Sequence, residues 1–157
     1  MANDVATKHF INQVAKVRSN IETAFYESAS DVLKDLIDRT PEDTGASKGN
    51  WQAVLKLSQV KQFSPSATNK SNAANQLFDI MDTHRRPPLK PLSIYFANPT
   101  PYSLIYEYGL YKRESEKVVG ANGGFFSRQA VGGVVRQFEG EDNAKLGAGL
   151  KKRLKAK

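Results

Sequence analysis

Residues 5–37 read VATKHFINQVAKVRSNIETAFYESASDVLKDLI, and this stretch decides the fold. Its large apolar side chains recur every three or four residues, with one gap of seven, which is the period of an α-helix. They are Phe10, Val14, Val17, Ile21, Phe25, Val32 and Leu36. The pattern predicts one amphipathic helix about 50 Å long, which is more than the core of a single small domain needs. We therefore expect part of this apolar stripe to contact a neighbouring subunit.

The helix is predicted to stop at the run Arg39-Thr40-Pro41-Glu42-Asp43-Thr44-Gly45. Pro41 disfavours helical geometry at Thr40, and the Asp-Thr-Gly that follows has the composition of a turn. A strand with one buried face is then predicted to open at Asn50-Trp51, because apolar side chains recur at every second position. These alternating residues are Trp51, Ala53, Leu55 and Leu57.

The middle of the chain combines loops, a short helix and a second strand. Residues 61–73 are rich in Ser, Asn, Ala and Lys and are expected to form an exposed loop, and a short helix is expected over 75–84. Three prolines make 85–91 a stiff, extended connector. The alternation of a strand then returns, and we expect this strand in the same sheet as the first. Its apolar positions are Leu92, Ile94 and Phe96.

The last third begins with Asn98-Pro99-Thr100-Pro101-Tyr102 and leads into Ile105-Tyr106-Glu107-Tyr108-Gly109. The spacing of Tyr102 and Tyr106 predicts a short helix, and Gly109 is placed to end it. Five glycines leave residues 118–134 open between a hairpin and a lid-like loop. Apolar residues at helical spacing predict a terminal helix over 134–154, although each internal glycine weakens it by about 1 kcal/mol.

These elements predict an α+β fold, in which a long N-terminal amphipathic helix and a C-terminal helix pack on a small, mainly antiparallel sheet with long loops. A chain of 157 residues suits one core, since a fold of this size buries roughly 70% of its unfolded surface. We assign residues 1–144 to a single α+β domain and residues 145–157 to a basic C-terminal extension. No apolar run approaches the ~20 residues that cross a bilayer, so no membrane partner is expected.

The net charge of +7 is concentrated at the C-terminal end. Six of the 23 Lys and Arg residues follow position 144 and none of the 16 acidic residues does, so residues 1–144 carry a net charge of only +1. Basic surfaces attract phosphates and acidic partners. The candidates for contact with DNA or with an acidic neighbour are Lys151, Lys152, Arg153, Lys155 and Lys157. A solvated end that only aids solubility is the alternative.

Few residues in the sequence have the patterns of catalytic or metal sites. There is no cysteine, which excludes disulfides and thiolate chemistry, and the nucleophile-elbow, P-loop and His-Glu-x-x-His motifs are missing. Asp79, Asp82 and His84 form a cluster of ligand-type residues, but solvated polar positions explain it better than a metal site does. Glu107 is interpreted as the polar partner of an amide or an arginine. We predict no catalytic residue, no metal and no cofactor.

Tyrosines are concentrated between positions 95 and 111. Tyrosine buries a rigid ring while keeping a hydrated hydroxyl, which suits subunit interfaces. Stacking on nucleic-acid bases would need interleaved Lys or Arg, and these are scarce before Lys112. Interface contacts or half-buried packing are therefore favoured. Together with the helix stripe, the interface candidates are Phe10, Val14, Val17, Ile21, Phe25, Trp51, Tyr102, Tyr106 and Tyr108.

The order of these motifs resembles a family of phage proteins. The long helix, the Thr-Pro-Glu-Asp-Thr-Gly turn, the strand opened by Asn50-Trp51, the Asn98 to Gly109 segment and the terminal helix resemble the head-to-tail joining and tail-completion (neck) proteins of long-tailed bacteriophages, which include the lambda-type minor tail protein Z. The resemblance implies a non-enzymatic virion protein that is assembled in the host cytoplasm as a ring of six or twelve copies. Its implied neighbours are the connector or stopper on the portal side, the tail terminator or tail tube, and double-stranded DNA in the lumen.

Two other functions are open on the sequence. A small nucleic-acid-binding or regulatory domain would use the basic C-terminal helix, and removal of residues 145–157 would then abolish its function. An enzyme such as a nuclease or hydrolase is motivated only by Asp79, Asp82 and His84. A ring protein, in contrast, would still oligomerise without its basic end.

Overall fold

The computed structural model describes residues 2–42, 46–61, 72–84, 93–111, 118–120, 123–128 and 130–155. Helix α1 spans Ala2–Arg39 and confirms the long helix predicted from the apolar period. It ends immediately before Thr40, as the proline at position 41 predicts. The later elements are α2 (Ala46–Gly49), β1 (Gln52–Val54), a 3-10 turn (Leu57–Gln59), α3 (Ala73–His84), β2 (Tyr95–Ala97), α4 (Ser103–Tyr108), β3 (Val118–Val119), β4 (Phe125–Phe126) and α5 (Val135–Lys155).

Strands β1 and β2 form a two-stranded antiparallel sheet in which Ala53 lies opposite Phe96. This confirms that the second predicted strand joins the same sheet as the first. The first strand is shorter than predicted, because the Gln59 side chain accepts the backbone N–H groups of Leu55 and Lys56 and the chain turns there. Leu57 consequently lies in the 3-10 turn and is exposed, not in the strand.

The prediction of one buried face for β1 is also wrong, because all three of its residues are buried. Gln52 tolerates burial because hydrogen bonds replace the water that its amide loses. Its Nε2 donates to the Lys61 carbonyl at 2.6 Å and to the Asn50 carbonyl at 3.4 Å, and its Oε1 accepts the Lys61 N–H at 3.0 Å. The N–H of Ala53, on the side of β1 away from β2, donates to Gln76 Oε1 at 3.0 Å. Glutamine side chains thus occupy the outer side of this strand.

The core lies between the C-terminal half of α1, helix α3 and the sheet. Phe25 and Val32 of the predicted stripe are partly buried against this core, so this half of the stripe packs within the chain. The fully buried Ala24 marks where α1 enters the folded body. The buried apolar residues of the core cluster are Leu33, Leu36, Trp51, Ala53, Ala73, Leu77, Met81, Tyr106, Ala130 and Val134.

The glycine-containing segment after α4 is a hairpin, which settles the alternative that the sequence left open. Strands β3 and β4 pair antiparallel, with Val119 opposite Phe125. Gly109 ends α4 with φ of 67° and leaves room for the buried ring of Phe126, which would lie 2.5 Å from a Cβ at that position. The hairpin is thereby packed against α4.

Helix α5 contacts α1 and continues without a break through position 145, where the sequence predicted the basic extension to begin. The α+β class, with a long N-terminal helix, a C-terminal helix and a small antiparallel sheet, is confirmed. None of the helices in the described ranges is long and apolar enough to cross a membrane. The proline connector at 85–91, the turn at 43–45 and most of the loop predicted at 61–73 lie outside the described residues.

Candidate assembly surfaces

The sequence runs that resemble the phage family meet at one corner of the fold, where α1 ends. The indole Nε1 of Trp51 donates to the hydroxyl of Thr40 at 2.8 Å, and that hydroxyl donates to the Leu36 carbonyl at 2.7 Å. Both side chains are buried, so these bonds satisfy polar atoms that water does not reach. The Trp that opens the strand therefore fixes the end of the long helix.

The second half of this corner joins α2 to the segment that leads into α4. The Ser47 hydroxyl donates to the Tyr106 hydroxyl at 3.0 Å, and the Asn98 amide donates to the Ser47 carbonyl at 2.8 Å. Asn98 also accepts from the N–H and the hydroxyl of Thr100, which holds the turn before α4. The Asn-Pro-Thr-Pro-Tyr run therefore has a structural role, because its contacts position α4 against α2.

Tyr106 is almost fully buried in this corner, and burial raises its pKa to about 12. Unfolded tyrosine ionises near pH 10, so the neutral phenol stabilises the fold fully below about pH 10, and this contribution is lost as pH rises towards 12. The unfolding free energy of the parent protein should therefore fall between about pH 9 and pH 12. We predict that this fall is smaller by about 2–3 kcal/mol in Tyr106→Phe. Urea denaturation of both proteins across that range measures it, and equal falls would contradict it.

Glu107 caps helix α5 from a different part of the chain. Its carboxylate accepts the backbone N–H groups of Val134, Val135 and Arg136 at 2.9, 3.1 and 2.7 Å. These are amides at the helix start, which have no partner inside the helix, and a negative charge is favourable there. The interpretation of Glu107 as the polar partner of an amide is confirmed. Gly133, with φ of 95°, allows the close approach, since a Cβ there would lie 2.8 Å from Glu107 Oε1.

The N-terminal part of α1, residues 2–23, projects beyond the folded body and is called the arm below. Its apolar side chains at the predicted stripe positions are exposed, from 50% for Val14 to 68% for Phe10. The arm stripe is defined as Phe10, Val14, Val17 and Ile21. Ion pairs within the helix, Lys8 with Asp4 and Arg18 with Glu22, occupy other faces of the arm. The arm stripe is thus an apolar surface that the described part of the chain leaves open to solvent.

A groove lies beside α4. Its volume is about 330 Å³, and its lining mixes polar and apolar residues, among them the exposed side chains of Leu104 and Tyr108. The Arg136 guanidinium lies 5.5 Å from the centre of the Tyr108 ring, which orients that ring at the rim. The α4 groove is defined as this cavity, which Phe96, Asn98, Ser103, Glu107 and Val135 also line.

The interface candidates named from the sequence therefore separate into two groups. Trp51 and Tyr106 are core residues, and their burial removes their rings from the outer surface of the folded chain. Phe25 is partly buried against the same core. Tyr102 and Tyr108, like the arm stripe, are exposed and stay candidates for contact with another subunit.

The basic candidates also differ from one another. Lys151, Lys152 and Lys155 are exposed, whereas Lys157 lies outside the described residues. Arg153 is directed back at α1: it donates to the Ser28 hydroxyl at 2.9 Å, lies 3.4 Å from the Glu27 carboxylate and pairs with Asp31. Its acidic partners are therefore in its own chain, and it holds α5 on α1.

The possible metal cluster gains no support from the fold. Asp79 and Asp82 are exposed on α3, and the side chain of His84 lies outside the described residues. Among the side chains that the structure describes, no three His, Asp or Glu residues come together in a way that would hold a metal ion.

The sequence missed the buried polar partners that build the corner. Ser47 had no visible signal, and the run that begins at Asn98 did not show which residue its amide binds, because Tyr106 lies 59 positions from Ser47 and Ser47 lies 51 positions from Asn98. Arg153 was grouped with the other basic residues, since only the fold shows α5 beside Glu27 and Asp31.

Comparisons of the chain with protein-family models, with curated proteins and with solved structures find no match.

Proposed function

We propose that this protein is a structural virion subunit of a tailed bacteriophage, a ring-forming neck or tail-completion protein that joins the DNA-filled head to the tail. The observation that carries the proposal is the arm stripe, an apolar helix face that extends away from the core that its own helix helps to build. A surface of this kind is typical of a part that is completed by another subunit. The proposal assigns no catalytic residue and no cofactor.

The corner of the fold where α1 ends supports the same function. The runs that resemble the neck family are engaged in fixing the end of α1 and the position of α4 through Trp51, Thr40 and Asn98. Glu107 is likewise engaged, because its carboxylate caps α5. These residues support a folded body from which the apolar arm stripe extends, and a subunit of a ring needs such a surface for contact with its neighbour.

A particle-assembly experiment tests this function. In cells that produce the phage without this protein, we expect filled heads and separate tails, and expression of the protein in trans should restore joined particles. Electron microscopy of purified particles and infectious titre are the measurements. Joined, infectious virions formed in the absence of the protein would rule the function out.

The second candidate function is nucleic-acid binding by the end of α5, and the exposure of three lysines there favours it. Replacement of Lys151, Lys152 and Lys155 by alanine should then abolish biological function and lower the dependence of DNA affinity on salt by a slope of up to about 3. A ring subunit with the same substitutions should still assemble. Arg153 is left unchanged in this variant because it holds α5 in place.

A further inference from the structure

We propose that the last turns of α5, residues 147–155, form a strap that opens from α1 and closes on it while the rest of the fold stays intact. The strap is defined as these residues, and Arg153 is the side chain that holds it closed. The inference does not depend on the virion role. It rests on the different ways in which the two ends of α5 are attached to the folded body.

The N-terminal end of α5 is firmly anchored. Val134, immediately before the helix, is fully buried and belongs to the core cluster. The Glu107 carboxylate accepts the backbone N–H groups of Val134, Val135 and Arg136. Movement of this end would break these bonds and expose the core. We therefore expect it to open only when the whole domain unfolds.

The strap has no comparable anchor. The structure describes all of its side chains, and none of them is buried; Leu154 is 40% exposed. An isolated helix shorter than about 12–15 residues is marginal in water, so most short helices in proteins depend on packing of an apolar face. The strap is shorter than this limit. Its helical state therefore depends on its attachment to α1.

Two glycines weaken the strap, although the closed structure does not require them. A Cβ on Gly147 or Gly149 would have no atom within 4 Å, and neither residue has a positive φ. Alanine would therefore fit at both positions. Each glycine lowers the equilibrium constant for helix formation about fivefold relative to alanine. The sequence of the strap thus favours the open state.

Arg153 attaches the strap to α1 through polar contacts. Its guanidinium donates to the Ser28 hydroxyl at 2.9 Å, lies 3.4 Å from the Glu27 carboxylate and pairs with Asp31. The side chains of Glu27 and Asp31 are 42% and 68% exposed. Ion pairs this close to water are weak and are screened by salt. The attachment is therefore one that moderate changes in the surroundings can release.

Opening of the strap leaves no buried polar atom without a partner. The Ser28 hydroxyl keeps its own hydrogen bond to the Ala24 carbonyl at 2.8 Å. The carboxylates of Glu27 and Asp31 already reach water, and Arg153 becomes hydrated when it leaves them. The penalty that keeps a fully buried ion pair together, an unpaired charge in an apolar interior, is thus not incurred here.

The closed and open states present different charges to the surroundings. In the closed state, Arg153 neutralises the acidic side chains that follow the arm on α1. In the open state, Glu27 and Asp31 form an unpaired acidic surface, and Arg153 joins the exposed Lys151 and Lys152 on a free basic segment. The strap is therefore a conformational device that changes which charged surfaces the protein offers.

Hydrogen exchange of the backbone amides tests the strap in the intact chain. We expect the amides of residues 151–155 to exchange more slowly than in an unfolded chain, but on the order of 100 times faster than those of Leu33 and Leu36 in the buried part of α1. An increase of NaCl from about 0.05 to about 0.5 M should speed their exchange further, because it screens the ion pairs of Arg153.

Substitutions in the strap distinguish its opening from simple fraying of a helix end. Gly147→Ala combined with Gly149→Ala should slow exchange about 25-fold, fivefold from each alanine. Arg153→Gln should speed exchange about 3–10-fold and abolish its dependence on salt. Lys152→Gln is the matched control: it removes the same charge from the adjacent exposed position, and we expect a change of less than about twofold.

Three results would overturn the proposal. Protection of residues 151–155 equal to that of Leu33 and Leu36 would show that this end is a fixed part of the body, and exchange at the rate of an unfolded chain would show that it never closes. Equal effects of Arg153→Gln and Lys152→Gln would show that Arg153 does not hold it. None of these results touches the neck function, which the particle experiment decides separately.

Discussion

Replacement of Trp51 by alanine is expected to destabilise the protein by about 3–5 kcal/mol. The ring is 3% exposed within the core, so its removal leaves a cavity between α1, α3 and the sheet. It also removes the hydrogen bond to Thr40 at the end of α1. Since whole domains are stable by only about 5–15 kcal/mol, this loss is a large fraction of the total, and the urea midpoint should fall markedly.

Circular dichroism during urea denaturation measures this loss, because the variant lacks the single tryptophan that fluorescence would report. Trp51→Phe is the matched control. It keeps most of the apolar volume and loses only the N–H donor, so we expect a cost of about 1–2 kcal/mol. Equal stability of Trp51→Ala and the parent protein would show that the corner at Thr40 does not support the fold.

Substitution of Gly109 by alanine is the second change with a large expected effect, about 2–4 kcal/mol of lost stability. The residue has φ of 67°, and a Cβ there would lie 2.5 and 2.6 Å from two ring carbons of Phe126. The ring is 1% exposed and has little room to move. The new methyl group must therefore displace either α4 or the hairpin that carries Phe126.

Gly123→Ala provides the matched control for backbone strain. Gly123 has φ of 77°, but no atom lies within 4 Å of a Cβ at that position, so only a conformational cost of about 1 kcal/mol is expected. The difference in thermal or urea unfolding between the two variants isolates the clash with Phe126. If both variants lose the same stability, the close packing of α4 on the hairpin is not supported.

The parts of the fold that were predictable depend on neighbours in sequence. The period of the apolar residues in 5–37 marked α1, Pro41 marked its end, and Gly109 marked the end of α4. In each case the responsible interaction spans a few residues, within a helix turn or at its boundary. The long arm was predictable for the same reason, because a helix of that length exceeds one small core.

The parts that were not predictable depend on residues far apart in the chain. The strand prediction with one buried face placed Gln52 on the solvent side, and its burial is possible because Lys61 supplies a donor and an acceptor and Asn50 a second acceptor. Trp51 and Tyr106 have the composition of interface residues, yet the core uses them. A sequence pattern shows that a large ring must be covered, but it does not show whether the cover comes from the same chain or from another.

The glutamines beside β1 have a consequence for the behaviour of the folded chain at high concentration. An open strand border can template cross-β stacking between molecules, and a two-stranded sheet has proportionally more border than a large one. Here Gln76 Oε1 accepts the outward N–H of Ala53, and Gln59 Oε1 accepts the N–H groups of Leu55 and Lys56 just beyond the strand. Side-chain amides therefore already occupy N–H donors along this border that a foreign strand would otherwise bind.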